Sequence, residues 1–231
     1  MNAENDADIF GLGRAALAAS HSAFAGKAFF VGSRLLQPDS TWLGPSDAVA
    51  AIVEEDDLVK VGGLSAARYA GANTLLCQLT SGGLAREAIG LGMRCLVRVP
   101  YAAGESPSLR SQRLEQLAAL LRQISSIDGI VPTPTGEALG LDTVQFVAAC
   151  RLASVAFHVV VDLERLGHKL GQLCLSFGAD ELLGSIVNQR ALRLGAHASS
   201  NAITRDEAVL LVRAAGFVPC ERLAEGRVQA L

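Results

Sequence analysis

The stretch TLLCQLTSGGLAREAIGLGMRCLVRV, residues 74–99, decides the fold. Thr74 to Leu79 is a nearly solid apolar run, ended by Ser81-Gly82-Gly83. A strand that is apolar at successive positions buries both of its faces, as strands do in parallel sheets covered by helices. LAREAIGLG then carries apolar residues at helical spacing and leads into a second apolar run, Arg94 to Val99. Strand, helix and strand in this order predict a parallel βαβ unit.

The same alternation extends in both directions. Upstream, residues 8–23 read as a leading helix and Lys27 to Val31 as a short strand. Ser46 is placed to cap a helix running to Glu54 or Glu55, and Leu58 to Val61 reads as a second short strand ended by Gly62-Gly63. Downstream, Ser106-Pro107 supplies an N-cap and a proline at the first helical position, for a helix to about Ser125. Gly129 to Val131 is a strand, Asp142 to Ser154 a helix, and Val155 to Val161 a β-branched and aromatic strand. Leu163 to Gly171 reads as a short helix and Gln172 to Phe177 as the last barrel strand. Thr204-Arg-Asp-Glu207 forms a capping box for a helix closed by Gly216. Six or seven such units predict an α/β fold, a complete or partial (β/α) TIM-type barrel, in one domain over 1–231. Periodicity alone leaves a doubly wound sheet as the alternative.

Composition narrows the function classes. The 231 residues are 50% hydrophobic and 19% charged, with a formal net charge of −3. That balance, without a Lys/Arg run, argues against a nucleic-acid partner. The acidic start MNAENDADIF lacks the pattern of a signal peptide, and no run reaches the length of a membrane span, so a cytoplasmic protein is expected. Cys77, Cys95, Cys150, Cys174 and Cys220 include no CxxC pair, and their apolar neighbours predict free, buried thiols rather than a metal knuckle.

Individual residues offer few signals. Gly62-Gly63 and Gly82-Gly83 each follow a strand, where backbone N–H groups can approach a phosphate or carboxylate; neither pair fits a nucleotide-binding fingerprint. His158 lies within the strand VAFHVVV and Asp162 at its end, and polar groups at the C-terminal ends of strands carry chemistry in barrel enzymes. No serine lies in a GxSxG context.

Residues 166–223 add a family resemblance. Lys169, Gln172, Leu175, Phe177-Gly178-Ala179, Asp180, Gly184, Gly195-Ala196, Thr204, Glu207, Ala215-Gly216, Val218-Pro219 and Glu221-Arg222 fall in order. The set resembles the C-terminal region of a radical S-adenosylmethionine subfamily, that of aminofutalosine synthase, dehypoxanthine futalosine cyclase and the deazaflavin-forming synthases. Tyr101, Glu105, Pro107, Arg110 and Leu114 continue the likeness upstream, as do Arg151-Leu152 and, at the front, Gly13, Val31, Arg34 and Pro38. The resemblance implies a shortened radical-SAM-like barrel with an extra C-terminal helix, and a place in menaquinone biosynthesis through futalosine.

The departures from that family concern its chemistry. Trp42 stands where the first of three cluster-binding cysteines belongs, and an indole offers only an N–H donor. The family's histidine near Tyr101 is Ala103, and its acidic pair is Asn188-Gln189. Without three thiolates there is no [4Fe–4S] cluster to deliver the electron that cleaves S-adenosylmethionine. The expectation is therefore a cluster-less, non-catalytic relative with no metal and no required cofactor, S-adenosylmethionine binding being left to experiment. It would bind a ligand or partner an intact radical-SAM homologue, another enzyme of the menaquinone route or a second copy of itself. The alternative is a cluster-independent hydrolase or lyase acting on a futalosine-like nucleoside or a small organic acid. Its catalytic candidates are Glu105, Asp162 and His158. The ligand-binding candidates are Arg34, Trp42, Gly62, Gly63, Tyr101 and Asp180, with Trp42 expected to occupy space that the cluster or cofactor would fill.

Overall fold

The structure, a computed structural model, describes residues 3–44, 48–136, 140–187, 201–223 and 227–231, with side chains from residue 9 onward. After helix α1 (Ala3–Phe24), the ten-residue strand β1 (Lys27–Leu36) forms the seam of a barrel. One edge of β1 pairs with β3 (Ala50–Glu54), and parallel pairing continues through β4 (Thr74–Gln78), β5 (Arg94–Tyr101), β6 (Gly129–Pro134), β7 (His158–Asp162) and β8 (Glu181–Gly184). Strand β8 returns to the other edge of β1, with Phe29 opposite Glu181 and Gly32 opposite Gly184. Seven parallel strands thus close a TIM-type (β/α) barrel, and the quoted βαβ unit is its β4, α3 (Gly82–Gly90) and β5.

Alternation along each strand sorts the residues into two cores. Val31, Ile52, Leu76, Leu96, Val131, Val160 and Leu183 point inward and form an apolar plug. Phe30, Val53, Leu75, Val97, Ile130 and Leu182 point outward under the helices. These are α2 (Leu64–Tyr69), α3, α4 (Pro107–Gln123), α5 (Gly140–Ala153) and α6 (Leu163–Leu175), with α1 lying along α5. The plug separates a polar layer at the C-terminal ends of the strands, here called the mouth, from one at their N-terminal ends, the floor.

Two readings of the sequence are corrected. Residues 50–54 are the strand β3, not helix; Ser46 lies outside the described residues. Alanine favours helix, but Ala50 and Ile52 face the plug while Ala51 and Val53 face the helices, so burial on both sides overrides propensity. Leu58 to Val61 is correspondingly a turn, with Val59 90% exposed. Gln172 to Phe177 is not a strand: through Leu175 it belongs to α6, whose buried residues Gly171, Cys174 and Leu175 follow helical spacing. The last barrel strand is β8, four residues beyond it.

The C-terminal part adds to the barrel wall. The capping box at Thr204 forms as read: Thr204 and Glu207 bond each other's backbone N–H and open α7 (Arg205–Ala214). Short β9 (Ile186–Val187) and β10 (Ile203–Thr204) pair in parallel, and strand β11 (Val218–Arg222) then pairs in parallel with the first half of β1, Lys27 opposite Val218. It occupies the stretch of β1 edge that the short β3 leaves free, and β12 (Val228–Ala230) folds back along it.

Candidate functional site

The mouth is built from the last inward residue of each strand and the first turn of the following helix. A cavity of about 280 Å³ lies there, floored by Ile52, Leu76 and Leu183 and rimmed by Ser33, Glu54, Asp162, Arg165 and Ser185. Glu54 ends β3 and makes a short ion pair with Arg98 of β5, a side chain 6% exposed. Arg98 also lies 3.7 Å from Asp56, and its Nε is buried without a hydrogen-bond partner. Arg165, in the first turn of α6, bridges Glu54 at 3.8 Å and Asp162 at 3.3 Å. Glu164 accepts a hydrogen bond from the Ser185 amide at 2.8 Å and so ties α6 to the end of β8.

Asp162 has two tasks. Its Oδ1 caps α6 by accepting from the Glu164 amide at 3.0 Å. Burial raises its carboxyl above the usual aspartate range, and the nearby Arg165 and the capping bond only partly offset that. Leaving aside Glu164, three carboxylates (Glu54, Asp56, Asp162) face two guanidiniums (Arg98, Arg165), so the described mouth is acidic. A carboxyl that is easily protonated beside a fixed cation is suited to hold or move a proton on a bound molecule.

Of the residues singled out from the sequence, the structure brings Asp162 and Arg34 to this cavity. Arg34 does so at the level of the chain, because it alternates with the inward Ser33 and Leu35 and sends its side chain outward. There its guanidinium lies 4.3 Å from the centre of the Trp42 ring. Trp42, in β2 (Trp42–Leu43), packs on the outer core, and its neighbour Leu43 lines the cavity instead. The expectation that Trp42 fills the mouth is therefore corrected: paired opposite the outward Leu36, it sits on the outer face.

The other candidates stand elsewhere. Glu105 fastens the β5–α4 connection by accepting from the Ala102 amide at 3.3 Å and pairing with Arg113 at 2.5 Å. Tyr101 points outward, is 1% exposed, stacks on Phe146 and donates to Thr143 Oγ1 at 2.8 Å. Gly62 and Gly63 make the turn before α2 with φ of 88° and 93°, a conformation natural to glycine. His158 opens β7 at the floor, as does Asp180 just before β8. The two form a short contact there, and Asp180 also pairs with the wholly buried Arg151. Asn188-Gln189 lies outside the described residues.

The mouth residues that sequence reasoning missed, Glu54, Arg98, Arg165, Ser33 and Ser185, did leave a trace. Glu54 ends AAIVE and Arg98 interrupts CLVRVPY, and a charge inside a solid apolar run must face a polar cavity or a partner.

The donor set does not match the cluster that the family resemblance implies. Cys77, Cys95, Cys150 and Cys174 lie buried between sheet and helices, and Cys220 is buried in β11 towards the floor; no sulfur lines the mouth cavity. Among the described residues no group of three His, Cys, Asp or Glu side chains is placed to hold a metal ion.

Closed strand order and outer helices define a TIM-type (β/α) barrel with a polar mouth. Methylornithine synthase (PylB) superposes with a TM-score of 0.64 at 12% identity, over 95% of this chain and 90% of that one. The [FeFe]-hydrogenase maturase HydG superposes with a TM-score of 0.60 at 8% identity, over 91% of this chain and 69% of that one. At the sequence level, the 5-amino-6-(D-ribitylamino)uracil–L-tyrosine 4-hydroxyphenyl transferase 1 of Methanosarcina barkeri is 25% identical over 154 residues. The match takes in 59% of this chain and 41% of that relative's length. No protein-family profile matches the chain. No helix among the described residues is long and apolar enough to cross a membrane.

Proposed function

We propose that this chain is a cluster-less relative of the radical S-adenosylmethionine enzymes that binds a small amine- or hydroxyl-bearing molecule at its barrel mouth. The observation that carries this reading is an apolar-floored, acidic-rimmed cavity of about 280 Å³ with no thiol on its wall. An ionised carboxylate not balanced by a guanidinium favours a cationic or hydrogen-donating ligand. The volume lies just below the roughly 300–1,000 Å³ typical of drug-sized ligands, so an amino acid suits it better than a nucleoside. L-Tyrosine, one of the compounds in the transferase relative's name, has that size and an ammonium group. The sequence resemblance to the futalosine enzymes supports reading the ligand, and a partner such as an intact homologue, as belonging to menaquinone biosynthesis.

Thermal-shift titration tests this reading, because a ligand bound only by the folded state raises Tm. L-Tyrosine and related amino acids are expected to raise it, futalosine-type nucleosides less so, and S-adenosylmethionine not at all. Anaerobic iron–sulfur reconstitution is expected to leave the visible spectrum flat. A stoichiometric cluster, or stabilisation by S-adenosylmethionine alone, would overturn the proposal.

Asp162 favours a second reading, in which the bound molecule is also turned over by proton transfer without a cluster. In that case Asp162→Asn weakens the ligand and also abolishes product formation at ligand concentrations that saturate the variant. Absence of any product from wild-type protein with a ligand that demonstrably binds would remove this reading.

A further inference from the structure

The floor of the barrel holds a cavity larger than the mouth, about 820 Å³. It lies below the first residue of β3, between the end of β11 and the starts of β4, β5 and β6. Its existence follows from the topology. Strand β3 begins only opposite Ser33, β11 covers β1 below that point, and no strand among the described residues fills the gap between β11 and β4.

The charges on its wall do not balance. Arg94, at the start of β5, and Arg222, at the end of β11, point inward and share one carboxylate, the wholly buried Glu181. Arg94 reaches it at 2.7 Å and Arg222 at 2.8 Å. Arg222 also lies 4.7 Å from the centre of the Phe29 ring. Arg68 stands at the rim, with a 3.4 Å bond to the Ala72 carbonyl and, among the described residues, no acidic partner within ion-pair distance. Glu181 lies behind the wall; the acid on the described wall itself, Asp128, accepts from the Cys95 amide at 2.9 Å. Among the described residues, three guanidiniums thus meet two carboxylates, and each carboxylate is already engaged. The nearby Asp180 is held by Arg151 and His158 and adds no free negative charge. The rest of the wall includes the apolar side chains of Val49, Ile89, Met93 and Leu223.

We infer that this floor cavity is a second ligand site, separate from the mouth, for a small organic anion whose oxyanion head meets the surplus guanidinium charge and whose apolar body lies against Ile89 and Met93. Guanidinium forks suit carboxylate and phosphate heads alike. The volume is within the range of metabolite-sized pockets.

Calorimetric titration with phenyl phosphate, phenylacetate and the neutral control benzyl alcohol tests the site. At least one anion binds and benzyl alcohol does not; the tighter anion identifies the head group. Arg68→Glu, at an exposed rim position, weakens the anion about tenfold or more, the usual range for losing a charged hydrogen bond. Ser126→Trp, also exposed on the rim, blocks entry without touching the core. Both variants melt like the wild type, and the mouth variant Asp162→Asn keeps wild-type affinity for the anion. The inference is overturned if neither anion binds at millimolar concentration, if benzyl alcohol binds equally well, or if both rim variants bind as the wild type does.

Discussion

The two ends of this barrel place carboxylates in similar positions and shift them in opposite directions. At the mouth, burial lifts Asp162 and a single flanking arginine only partly offsets it. At the floor, burial also pushes Glu181 up, yet Arg94 and Arg222 together outweigh it and hold the carboxyl at about 2. The deciding variable is the number of guanidiniums per carboxylate, set by which strand ends meet. The floor gains its second arginine only because β11 docks on β1 and carries Arg222 inward. Glu181 is thus fixed as a carboxylate, whereas the mouth is left with a carboxyl able to exchange its proton.

The strongest way to break this contrast is Glu181→Gln. It removes the wholly buried anion of Arg94 and Arg222, whose side chains are mostly buried, and loss of one member of a buried ion pair costs about 3–5 kcal/mol. For a chain of this size that lowers Tm by roughly 10 °C, measurable by calorimetry. If the variant melts within a degree or two of the wild type, the floor network does not hold the fold together.

Acid unfolding probes the same group without mutation. Glu181 is shifted from 4.5 to about 2, so its folded-state pKa is depressed and its contribution is complete above about pH 4.5. The contribution, about 3 kcal/mol, fades as pH falls from about 4.5 towards 2. Denaturant melts between pH 6 and pH 2.5 are expected to show that loss, and Glu181→Gln to flatten it.

The sequence made much of this frame readable, for a physical reason. Strands β4, β5 and β7 are apolar on both faces, and helices such as those opened by Ser106-Pro107 and Thr204 carry clear caps. Local chemistry and tertiary burial agree there. They disagree at β3, where alanines mask a strand, and at Gln172 to Phe177, where apolar residues at the end of a helix mimic one. The seven-strand closure was not legible, because β1 acquires its neighbours β8 and β11 from the far end of the chain. The site was legible only where polarity fell at a recognised strand end. Asp162 follows VVV and could be picked out, whereas Glu54 was hidden by the misread strand and Arg98 by its apolar neighbours. His158 and Asp162 were grouped because they share one strand, but its two ends open on opposite layers.

A smaller effect is expected from Arg98→Leu at the mouth. Glu54 loses its short partner but keeps Arg165 at 3.8 Å, and the mouth admits solvent. The loss is about 1.5–2 kcal/mol, at the lower end of the range for hydrogen bonds to charged groups. A cost as large as that of Glu181→Gln would mean that the two ends are equally structural and would erase the distinction drawn above.

The smallest effect has the opposite sign and is the sharpest test. Because the folded-state pKa of Asp162 is raised, its ionised form at pH 7 weighs against folding, and stability is regained as pH falls through that pKa. Asparagine removes the charge but still accepts the Glu164 amide, as Asn and Asp are comparable N-caps. Loss of attraction to Arg165, which is 42% exposed, takes little away. Asp162→Asn is therefore expected to stabilise the protein at pH 7 by about 0.5–1 kcal/mol, the usual size of a single stabilising change. The gain shrinks towards pH 4, while affinity for the mouth ligand falls. Stability rising as binding falls is the pattern of a residue retained for its site rather than for the fold. If Asp162→Asn instead destabilises the protein, Asp162 is a structural cap and the mouth loses its claim to be the working end.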